Sequence, residues 1–228
     1  MSLNKIYSRT AILLGEKNIE KLNNAKVLIL GLGGVGGICM EILARSGIQN
    51  FTLVDNDIFE ETNLNRQILS TIKNISKPKV LIAKKRLLHI NPEIKVKLHK
   101  KFADINNIKS LTKNIDIVID AIDSPKAKLE ILAFLYNKKI KVFSSMGAGF
   151  TTDITSIKID DISKTKNCKL AKYIRKNLKK YNIFSGIKVV YSDELRKFKR
   201  ENCIGSIATI TNAFGIFLAD LVINEIIK

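Results

Sequence analysis

A short apolar run that ends in a cluster of glycines constrains the fold of this chain more than any other stretch. Val27–Leu30 is apolar throughout, as expected of a parallel strand that is buried on both faces. The seven residues that follow, GLGGVGG, contain five glycines. Apolar residues then recur at helical spacing up to Gly47, and a second apolar stretch, Phe51–Val54, ends on Asp55. This order predicts the first βαβ half of a nucleotide-binding fold.

The glycines have distinct expected roles in such a turn. Gly31 permits the tight turn from strand to helix, Gly33 lets a phosphate approach the backbone, and Gly36 lets the helix pack closely on the strand. The helix N-terminus offers free amides and a partial positive charge to an anion, and Asp55 lies where a carboxylate can accept both hydroxyls of a ribose. The alternative is that the glycines serve close packing alone. The predicted nucleotide-binding residues of this stretch are Gly31, Gly33, Gly34, Gly36 and Asp55.

The residues after the second strand distinguish between kinds of nucleotide chemistry. Thr62–Gln67 has the sequence TNLNRQ, and Lys79 stands at the head of the next predicted helix. Hydride transfer to NAD develops no new charge on phosphate, whereas ATP cleavage needs cations such as Arg66 and Lys79 to neutralise the separating phosphates. An NAD-linked oxidoreductase is therefore the weaker alternative. In their order, the motifs GLGGVGG, LVDND, TNLNRQ, KPKV, INPE and DAIDS resemble the ThiF/MoeB/HesA adenylyltransferases, the family that includes ubiquitin-activating enzymes.

The resemblance implies ATP and Mg²⁺ as cofactors and a set of site residues. Asp123, in the strand-end sequence DAIDS, corresponds to the family's Mg²⁺-associated carboxylate, and one such carboxylate with phosphate oxygens is enough for Mg²⁺. Asp120, in the same sequence, has the alternative role of a strand-end cap. Arg9 corresponds to an arginine that in some relatives reaches the partner subunit's ATP; the alternative is an ordinary solvated arginine. The implied catalytic and nucleotide-binding residues beyond the glycines and Asp55 are Arg9, Asn63, Asn65, Arg66, Lys79 and Asp123.

Strands and helices alternate along the rest of the chain up to Gly149. The alternation predicts an α/β fold: a Rossmann-like, doubly wound, mostly parallel sheet. We expect one domain over 1–228, with an ATP-binding half (1–150) and a substrate- and dimer-forming half (151–228). After the first two strands we predict helices over 6–22 and 78–91, strands at 96–98, 115–119 and 142–144, and a helix over 126–137. The second half then adds antiparallel strands at 154–160 and 189–192, a basic helix over 164–180 and an apolar C-terminal helix over 205–227.

The composition of the chain bears on its binding partners and on the cellular compartment in which it works. The net charge of +18 would attract a nucleic-acid backbone, although a general lysine bias would give the same load. The C-terminal helix is long enough to cross a membrane, but its polar residues favour packing in the core or at a dimer interface, and we expect no stable membrane association. The three cysteines, which outline no disulfide framework and suit a cytoplasmic protein, are Cys39, Cys168 and Cys203.

The cysteines also bear on zinc and on covalent chemistry. No Cys-x-x-Cys pair is present, so the structural zinc site of many family members cannot form, and no zinc is expected. Cys168 or Cys203 could form a thioester as in ubiquitin-activating relatives. A small buried hydrophobe is the more common role of a free cysteine.

The second half resembles one branch of the family, the tRNA threonylcarbamoyladenosine dehydratases. The resemblance lies in SSMGAG, DISKT, CKLAKYIRKNL and VVYSDE. It implies ATP-dependent cyclisation of a threonylcarbamoyl group on tRNA, a homodimer, and an accessory sulfur-relay protein as a further partner. The segment between Tyr191 and Gly205 is shorter than expected for this branch, which leaves the basic stretch Arg196–Arg200 to act in its place. Activation of a sulfur-carrier protein's C-terminal carboxylate is the alternative function.

Overall fold

The alternation of strands and helices produces one seven-stranded sheet in a computed structural model of the protein, which describes residues 3–195 and 204–228. The strands are β1 (Lys26–Leu30), β2 (Asn50–Val54), β3 (Lys95–His99), β4 (Ile117–Asp120), β5 (Lys141–Ser145), β6 (Ile157–Asp161) and β7 (Lys188–Ser192). Their spatial order is β3-β2-β1-β4-β5-β7-β6. The predicted doubly wound, mostly parallel sheet is confirmed. One detail differs: among the strands of the described residues, β6 alone runs antiparallel, whereas β7 pairs in parallel with β5.

The helices predicted with a range are all present, with shifts at some ends, whereas α6 (Ile105–Leu111), between β3 and β4, had no predicted range. The helices are α1 (Leu3–Ile6), α2 (Ser8–Leu14), α3 (Glu16–Asn24), α4 (Gly36–Ser46), α5 (Lys79–Ile90), α6 (Ile105–Leu111), α7 (Pro125–Asn137), α8 (Lys169–Leu178) and α9 (Ala208–Ile227). The predicted strand at 154 and basic helix at 164 both begin later. The cause is local, because Asp153 and Asp161 each cap a short 3₁₀ turn with their side chains.

Helices cover both faces of the sheet. Buried residues of α3, α4, α5 and α9 form the core on one face, and those of α6, α7 and α8 form the core on the other. The strand order reverses between β1 and β4, which pair directly. In open α/β sheets, ligands bind at the carboxyl ends of the strands at such a switch point. A ligand site is therefore expected among the residues that follow β1, β2 and β4.

The apolar helix α9 packs against the glycine-rich helix α4. An ideal Cβ at Gly215 would lie 2.3 Å from Ile38 Cγ2 and 2.4 Å from the carbonyl oxygen of Val35, so only glycine permits this approach. By length and composition α9 could cross a membrane, and among the described residues no other helix has this property. Its packing on α4 agrees with the interpretation of a core helix.

A three-membered ion cluster joins α4 to α5. The buried carboxylate of Glu41 accepts hydrogen bonds from Arg86 Nη2 (2.7 Å) and Arg45 Nη2 (2.9 Å). Arg86, and then Arg45, hold the pKa of Glu41 below its ordinary value of 4.5 against the opposing effect of burial. Both arginines remain about half exposed, so solvent screens the cluster and its contribution is moderate.

We expect Glu41→Gln to lower the free energy of unfolding by about 1–2 kcal/mol at neutral pH, because the four hydrogen bonds from Arg45 and Arg86 lose their anionic acceptor. Since the pKa of Glu41 is lower in the folded state, its contribution is present above pH 4.5 and is lost as the pH falls through the folded-state value. The free energies of unfolding of wild type and Glu41→Gln, measured in urea at a series of acid pH values, should therefore converge as the pH falls. Glu20→Gln on the exposed side of α3 is the control, and a difference that persists unchanged in acid would contradict the assignment.

Candidate nucleotide-binding and adenylation site

The glycine loop after β1 is shaped by two close backbone contacts. Gly31 has φ +88°, and an ideal Cβ there would lie 2.8 Å from the carbonyl oxygen of Ala121. An ideal Cβ at Gly36 would lie only 1.9 Å from the carbonyl oxygen of Gly31. Gly33 differs, since the nearest atom to its ideal Cβ is Gln67 Nε2 at 3.9 Å. Gly31 and Gly36 are thus required by the fold, whereas Gly33 faces space into which a ligand can approach.

The TNLNRQ segment lies against this loop. An ideal Cβ at Gly34 would be 3.3 Å from the carbonyl oxygen of Arg66, and 3.1 Å from Thr211 on the first turn of α9. The half-buried Arg66 donates from Nη1 to the carbonyl oxygen of Thr62 (2.7 Å) and to Asn65 Oδ1 (2.9 Å). The segment therefore orients the charged end of Arg66 beside the glycine loop.

The two asparagines of this segment hold its shape. Asn63 is buried, and its Oδ1 accepts from the backbone N–H of Glu60 (3.3 Å), while its carbonyl oxygen accepts from the N–H groups of Arg66 and Gln67. Asn65 Nδ2 donates to the carbonyl oxygen of Ser206 (2.9 Å). These contacts position the segment that carries Arg66. In this geometry Asn63 is turned inward, away from the open side of the loop.

Asp55 connects the end of β2 to the glycine loop. Its Oδ2 accepts from the backbone N–H of Leu32 (2.7 Å), and its Oδ1 accepts from that of Asp57 (2.8 Å). Burial raises the pKa of the Asp55 carboxyl, and the positive charge of Lys79 opposes that effect. The two backbone bonds leave further acceptor lone pairs on the carboxylate, which is the chemistry that a ribose requires.

Lys79 lies at the start of α5 and pairs with Asp57, which is not among the predicted site residues. Its side chain is only 7% exposed, and Nζ donates to Asp57 Oδ2 at 2.9 Å. The Asp57 side chain is 56% exposed, so the pair opens toward solvent. The sequence feature that could have identified Asp57 is the second aspartate of LVDND, two residues after the strand-end Asp55.

The loop that carries Asp123 is anchored by a fully buried polar network. Asp120, Lys128 and Ser144 are each 0% exposed. Asp120 Oδ2 accepts from Lys128 Nζ (2.7 Å) and from Ser144 Oγ (2.6 Å), and its Oδ1 accepts from the backbone N–H of Ile122 (3.3 Å). Burial lowers the pKa of Lys128, and the carboxylate of Asp120 opposes that shift. Asp120 is thus the centre of a buried ion pair and more than a strand-end cap.

The sequence contained a signal for Lys128. It lies on the same stripe of α7 as Ile131, Leu132 and Leu135, all of which are buried. A lysine at such a position needs an acidic partner inside the core. By contrast, Asp123 is exposed at the sheet edge and makes no side-chain hydrogen bond to the described part of the chain, so its oxygens can serve a metal ion or a ligand.

Unsatisfied polar atoms cluster on the two segments that contact the glycine loop. Among the described residues, the buried side-chain oxygens without a hydrogen-bond partner are Gln67 Oε1, Ser70 Oγ and Asn212 Oδ1. Buried polar atoms are normally satisfied, so a ligand or ordered water is expected beside them. An open cavity of about 340 Å³ lies between the N-terminal ends of α6 and α7, next to Ser124, and neither the glycine loop nor these three side chains line it.

The remaining predicted residues are not assembled into this site by the described part of one chain. Arg9 is exposed on α2, and its side chain makes no hydrogen bond to residues 3–195 or 204–228. Cys168 is buried in the core beneath α8, which favours its interpretation as a small hydrophobe. Burial raises the pKa of the Cys39 thiol. Cys203 and the basic stretch Arg196–Arg200 lie outside the described residues.

Replacing one member of the buried ion pair should destabilise the fold more than replacing both Lys128 and Asp120 with neutral residues. We expect Lys128→Met to lower the free energy of unfolding by about 3–5 kcal/mol, because Asp120 is left buried without a cation. Adding Asp120→Asn should recover at least about 1 kcal/mol, since the amide oxygen can still accept from Ser144. Denaturant unfolding of the two single variants and the double variant measures this coupling. Strictly additive losses would contradict it.

Comparison with known proteins agrees with this geometry. The model of the ThiF family matches residues 7–228. A Bacillus subtilis (strain 168) protein named tRNA threonylcarbamoyladenosine dehydratase is 39% identical over 189 residues, which is 82% of this chain and 74% of that protein. A Haemophilus influenzae protein of the same name is 35% identical, over 92% of this chain and 89% of that protein.

Solved structures give the same result. The crystal structure of the E. coli tRNA N6-threonylcarbamoyladenosine dehydratase TcdA in complex with ATP matches with a TM-score of 0.93 and 31% identity, over 98% of this chain and 94% of that one. Proteins named as sulfur-transfer or molybdopterin-synthase adenylyltransferases match over shorter stretches, 52–63% of this chain. The chain therefore belongs to the ThiF family, and its relatives within that family include tRNA threonylcarbamoyladenosine dehydratases.

Proposed function

We propose that this chain is an ATP-dependent enzyme that cyclises the threonylcarbamoyl group of N6-threonylcarbamoyladenosine in tRNA with net loss of water. The observation that carries the proposal is the open side of Gly33, with Arg66, Asp55 and the Asp123 loop placed at one edge of the sheet. The relatives named for this reaction cover most of the chain. Because its substrate is tRNA, we propose that the enzyme works in the cytoplasm.

The residues at the sheet edge fit a nucleoside triphosphate. The space beside Gly33 and the N-terminal end of α4 would take phosphate oxygens, to which backbone N–H groups and the helix dipole are favourable. Asp55 would accept the ribose hydroxyls. Asn63 and Asn65 support the segment that carries Arg66, so we propose that they act on the nucleotide through Arg66.

The first chemical step is attack of the substrate carboxylate on the α-phosphorus of ATP, which gives an acyl-adenylate and pyrophosphate. Arg66 and Lys79 would offset the negative charge that accumulates on the separating phosphates. Lys79 Nζ is held by Asp57 at 2.9 Å, so the ion pair keeps the ammonium oriented until phosphate oxygens compete for it. We propose Asp57 as the residue that positions Lys79.

The second step is intramolecular. The ureido nitrogen of the same group attacks the activated carbonyl carbon. A C–N bond forms, the acyl C–O bond breaks, the proton of the nitrogen passes to water, and AMP leaves with one of the original carboxylate oxygens. Because nucleophile and electrophile belong to one molecule, correct positioning supplies much of the rate. The sequence of steps needs no covalent enzyme intermediate, in keeping with the burial of Cys168.

Asp123 is the residue that would hold Mg²⁺. An exposed carboxylate at the carboxyl edge of the sheet is the oxygen donor that Mg²⁺ prefers when phosphate oxygens and water complete its shell. Bound there, Mg²⁺ would neutralise phosphate charge. The buried network of Asp120, Lys128 and Ser144 keeps the Asp123 loop in place at this edge.

The proposal is tested by incubating the protein with ATP, Mg²⁺ and threonylcarbamoyl-modified tRNA, followed by nucleoside mass spectrometry. We expect a nucleoside lighter by one water, and a loss in kcat of about 100-fold for Arg66→Ala and for Asp123→Asn. Absence of the lighter nucleoside would overturn the proposal. ATP–pyrophosphate exchange stimulated by a carrier protein ending in Gly-Gly, and not by tRNA, would favour the carrier-activating alternative.

The glycine loop provides a matched pair of variants for ATP binding. We expect Gly33→Ala to leave the free energy of unfolding within about 0.5 kcal/mol of wild type, because the new methyl group has open space. ATP affinity measured by calorimetry should fall at least about tenfold, since the methyl group occupies the path of the phosphates. Gly36→Ala should destabilise the fold by at least about 2 kcal/mol through its collision with Gly31. Wild-type ATP affinity in Gly33→Ala would contradict the placement.

We also propose a homodimer in which Arg9 serves the neighbouring subunit's nucleotide. Ile12 and Leu13 lie on the same short helix as Arg9 and are 86% and 81% exposed, so this helix has an apolar surface that an interface could cover. Arg9 is not engaged by the described residues of its own chain, which is consistent with a role in trans.

Mixing two inactive variants tests the role in trans. Arg9→Ala and Lys79→Ala subunits that exchange freely form mixed dimers with one intact site, so the mixture should regain up to about a quarter of wild-type activity. The measurement is dehydratase activity before and after exchange. Activity equal to the sum of the separate preparations, despite demonstrated exchange, would exclude action in trans, and a monomer at micromolar concentration would exclude the dimer.

A further inference from the structure

The stretch of the chain that contains α8 carries charge of a single sign. Residues 162–192 contain nine lysines and arginines and no aspartate or glutamate. A second stretch of the same length, 62–92, also lacks acidic residues and contains seven lysines and arginines, so the arrangement of the charges on the surface distinguishes 162–192 more than their number does. The basic residues of 162–192 are Lys164, Lys166, Lys169, Lys172, Arg175, Lys176, Lys179, Lys180 and Lys188.

The helix α8 turns most of this charge toward solvent. Its apolar residues Ala171, Ile174 and Leu178 are buried in the core. On its other side Lys169, Lys172 and Lys176 are exposed, as are Lys179 and Lys180 in the turn that follows. We call these five lysines the basic face. Arg175 is the exception within the helix, because Nη1 donates inward to the carbonyl oxygen (2.9 Å) and the hydroxyl of Thr165.

No acid of the described chain neutralises the basic face. None of its five lysines forms an ion pair or a side-chain hydrogen bond with residues 3–195 or 204–228. Aromatic side chains lie among and just after them: Tyr173 and Tyr181 are each 42% exposed, and Phe184 is 63% exposed. Lysines supply contacts to phosphates, and exposed aromatic rings supply surfaces on which unpaired bases stack.

The basic face begins at the sheet edge that holds the candidate site. Asn167 Nδ2, just before α8, donates to the carbonyl oxygen of Asp193, directly after β7. Because β7 is parallel to β5, this is the carboxyl edge of the sheet, where Asp123 also lies. The helix α8 packs beside α7, which follows Asp123 in the chain. A polyanion bound along the basic face can therefore extend to the site.

We propose that the basic face binds the phosphate backbone of an RNA, with Tyr173, Tyr181 and Phe184 contacting its unpaired bases. The inference rests on the proposed function and adds where the RNA lies on the protein. Charge complementarity with a polyphosphate argues for RNA. A membrane surface fits less well, because an interfacial helix needs an exposed apolar face, and the apolar residues of α8 face the core.

A matched pair of double variants tests the surface in the full chain. Lys172→Glu with Lys176→Glu reverses two charges on the basic face, and Lys84→Glu with Lys85→Glu makes the same charge change on the exposed side of α5. Binding of unmodified tRNA is measured by fluorescence anisotropy over a range of salt concentrations. We expect the α8 variant to lose at least about tenfold in affinity at ~0.1 M salt, with a salt slope lower by about 1.5. The α5 variant should stay within about twofold of wild type, and ATP affinity should be unchanged in both.

A third variant tests the stacking role. We expect Phe184→Ala to weaken binding of tRNA at least about fivefold, with little effect on a fully paired RNA duplex. Equal losses of the α5 and α8 variants, or wild-type RNA affinity in the α8 variant, would overturn the proposal. Binding to vesicles containing anionic lipid that depends on the same lysines, without RNA binding, would overturn it in favour of a membrane.

The binding test is independent of the test of the proposed function, since tRNA binding is measured without turnover. Wild-type protein that binds tRNA through α8 but forms no lighter nucleoside would refute the dehydratase proposal and leave the surface standing. An α8 double variant that binds and converts tRNA like wild type would refute the surface and leave the enzyme standing.

Discussion

The contact between Gly36 and the carbonyl oxygen of Gly31 is the constraint on which the site depends. A Cβ at Gly36 would be 1.9 Å from that oxygen, so the first turn of α4 sits directly on the end of β1. This approach sets the position of the glycine loop, and Asp55 then fixes the loop from the neighbouring strand by accepting from Leu32. The helix dipole and the free amides are thereby aimed at the point where the strand order reverses. Gly33 makes no such close contact, and the open space beside it fits the approach of a ligand.

The charged side chains of the site are held by partners that the reaction itself does not require. Lys79 is oriented by Asp57, and the Asp123 loop is tied through Asp120 to the buried Lys128. A buried ion pair contributes little net stability compared with apolar residues of the same shape, but breaking it is costly. Such a pair is useful where position matters more than stability. The arrangement places two cations, Arg66 and Lys79, and the exposed carboxylate of Asp123 at the carboxyl edge of the sheet, as phosphate chemistry requires.

Much of this architecture could be predicted from the sequence, because nucleotide-binding motifs sit at strand ends and strand ends are marked by apolar runs. The fold, the glycine loop and Asp55 follow from local patterns. The later starts of β6 and α8 could not be foreseen from periodicity, since the side-chain caps Asp153 and Asp161 determine them. The position of Lys128 on the apolar stripe of α7 indicates a buried acidic partner, but periodicity does not identify that partner as Asp120 on β4. Arg9 stays a prediction, since one chain offers it no partner among the described residues.

Activation of the substrate carboxylate as an adenylate can be followed through the fate of its oxygen atoms. A tRNA whose threonylcarbamoyl carboxylate carries ¹⁸O in both positions would be converted in a single turnover with unlabelled ATP and water. If the carboxylate attacks the α-phosphorus, the AMP released on ring closure must carry one ¹⁸O on its phosphate. Label found instead in inorganic phosphate, with ADP as the nucleotide product, or label lost to water with unlabelled AMP, would contradict the account.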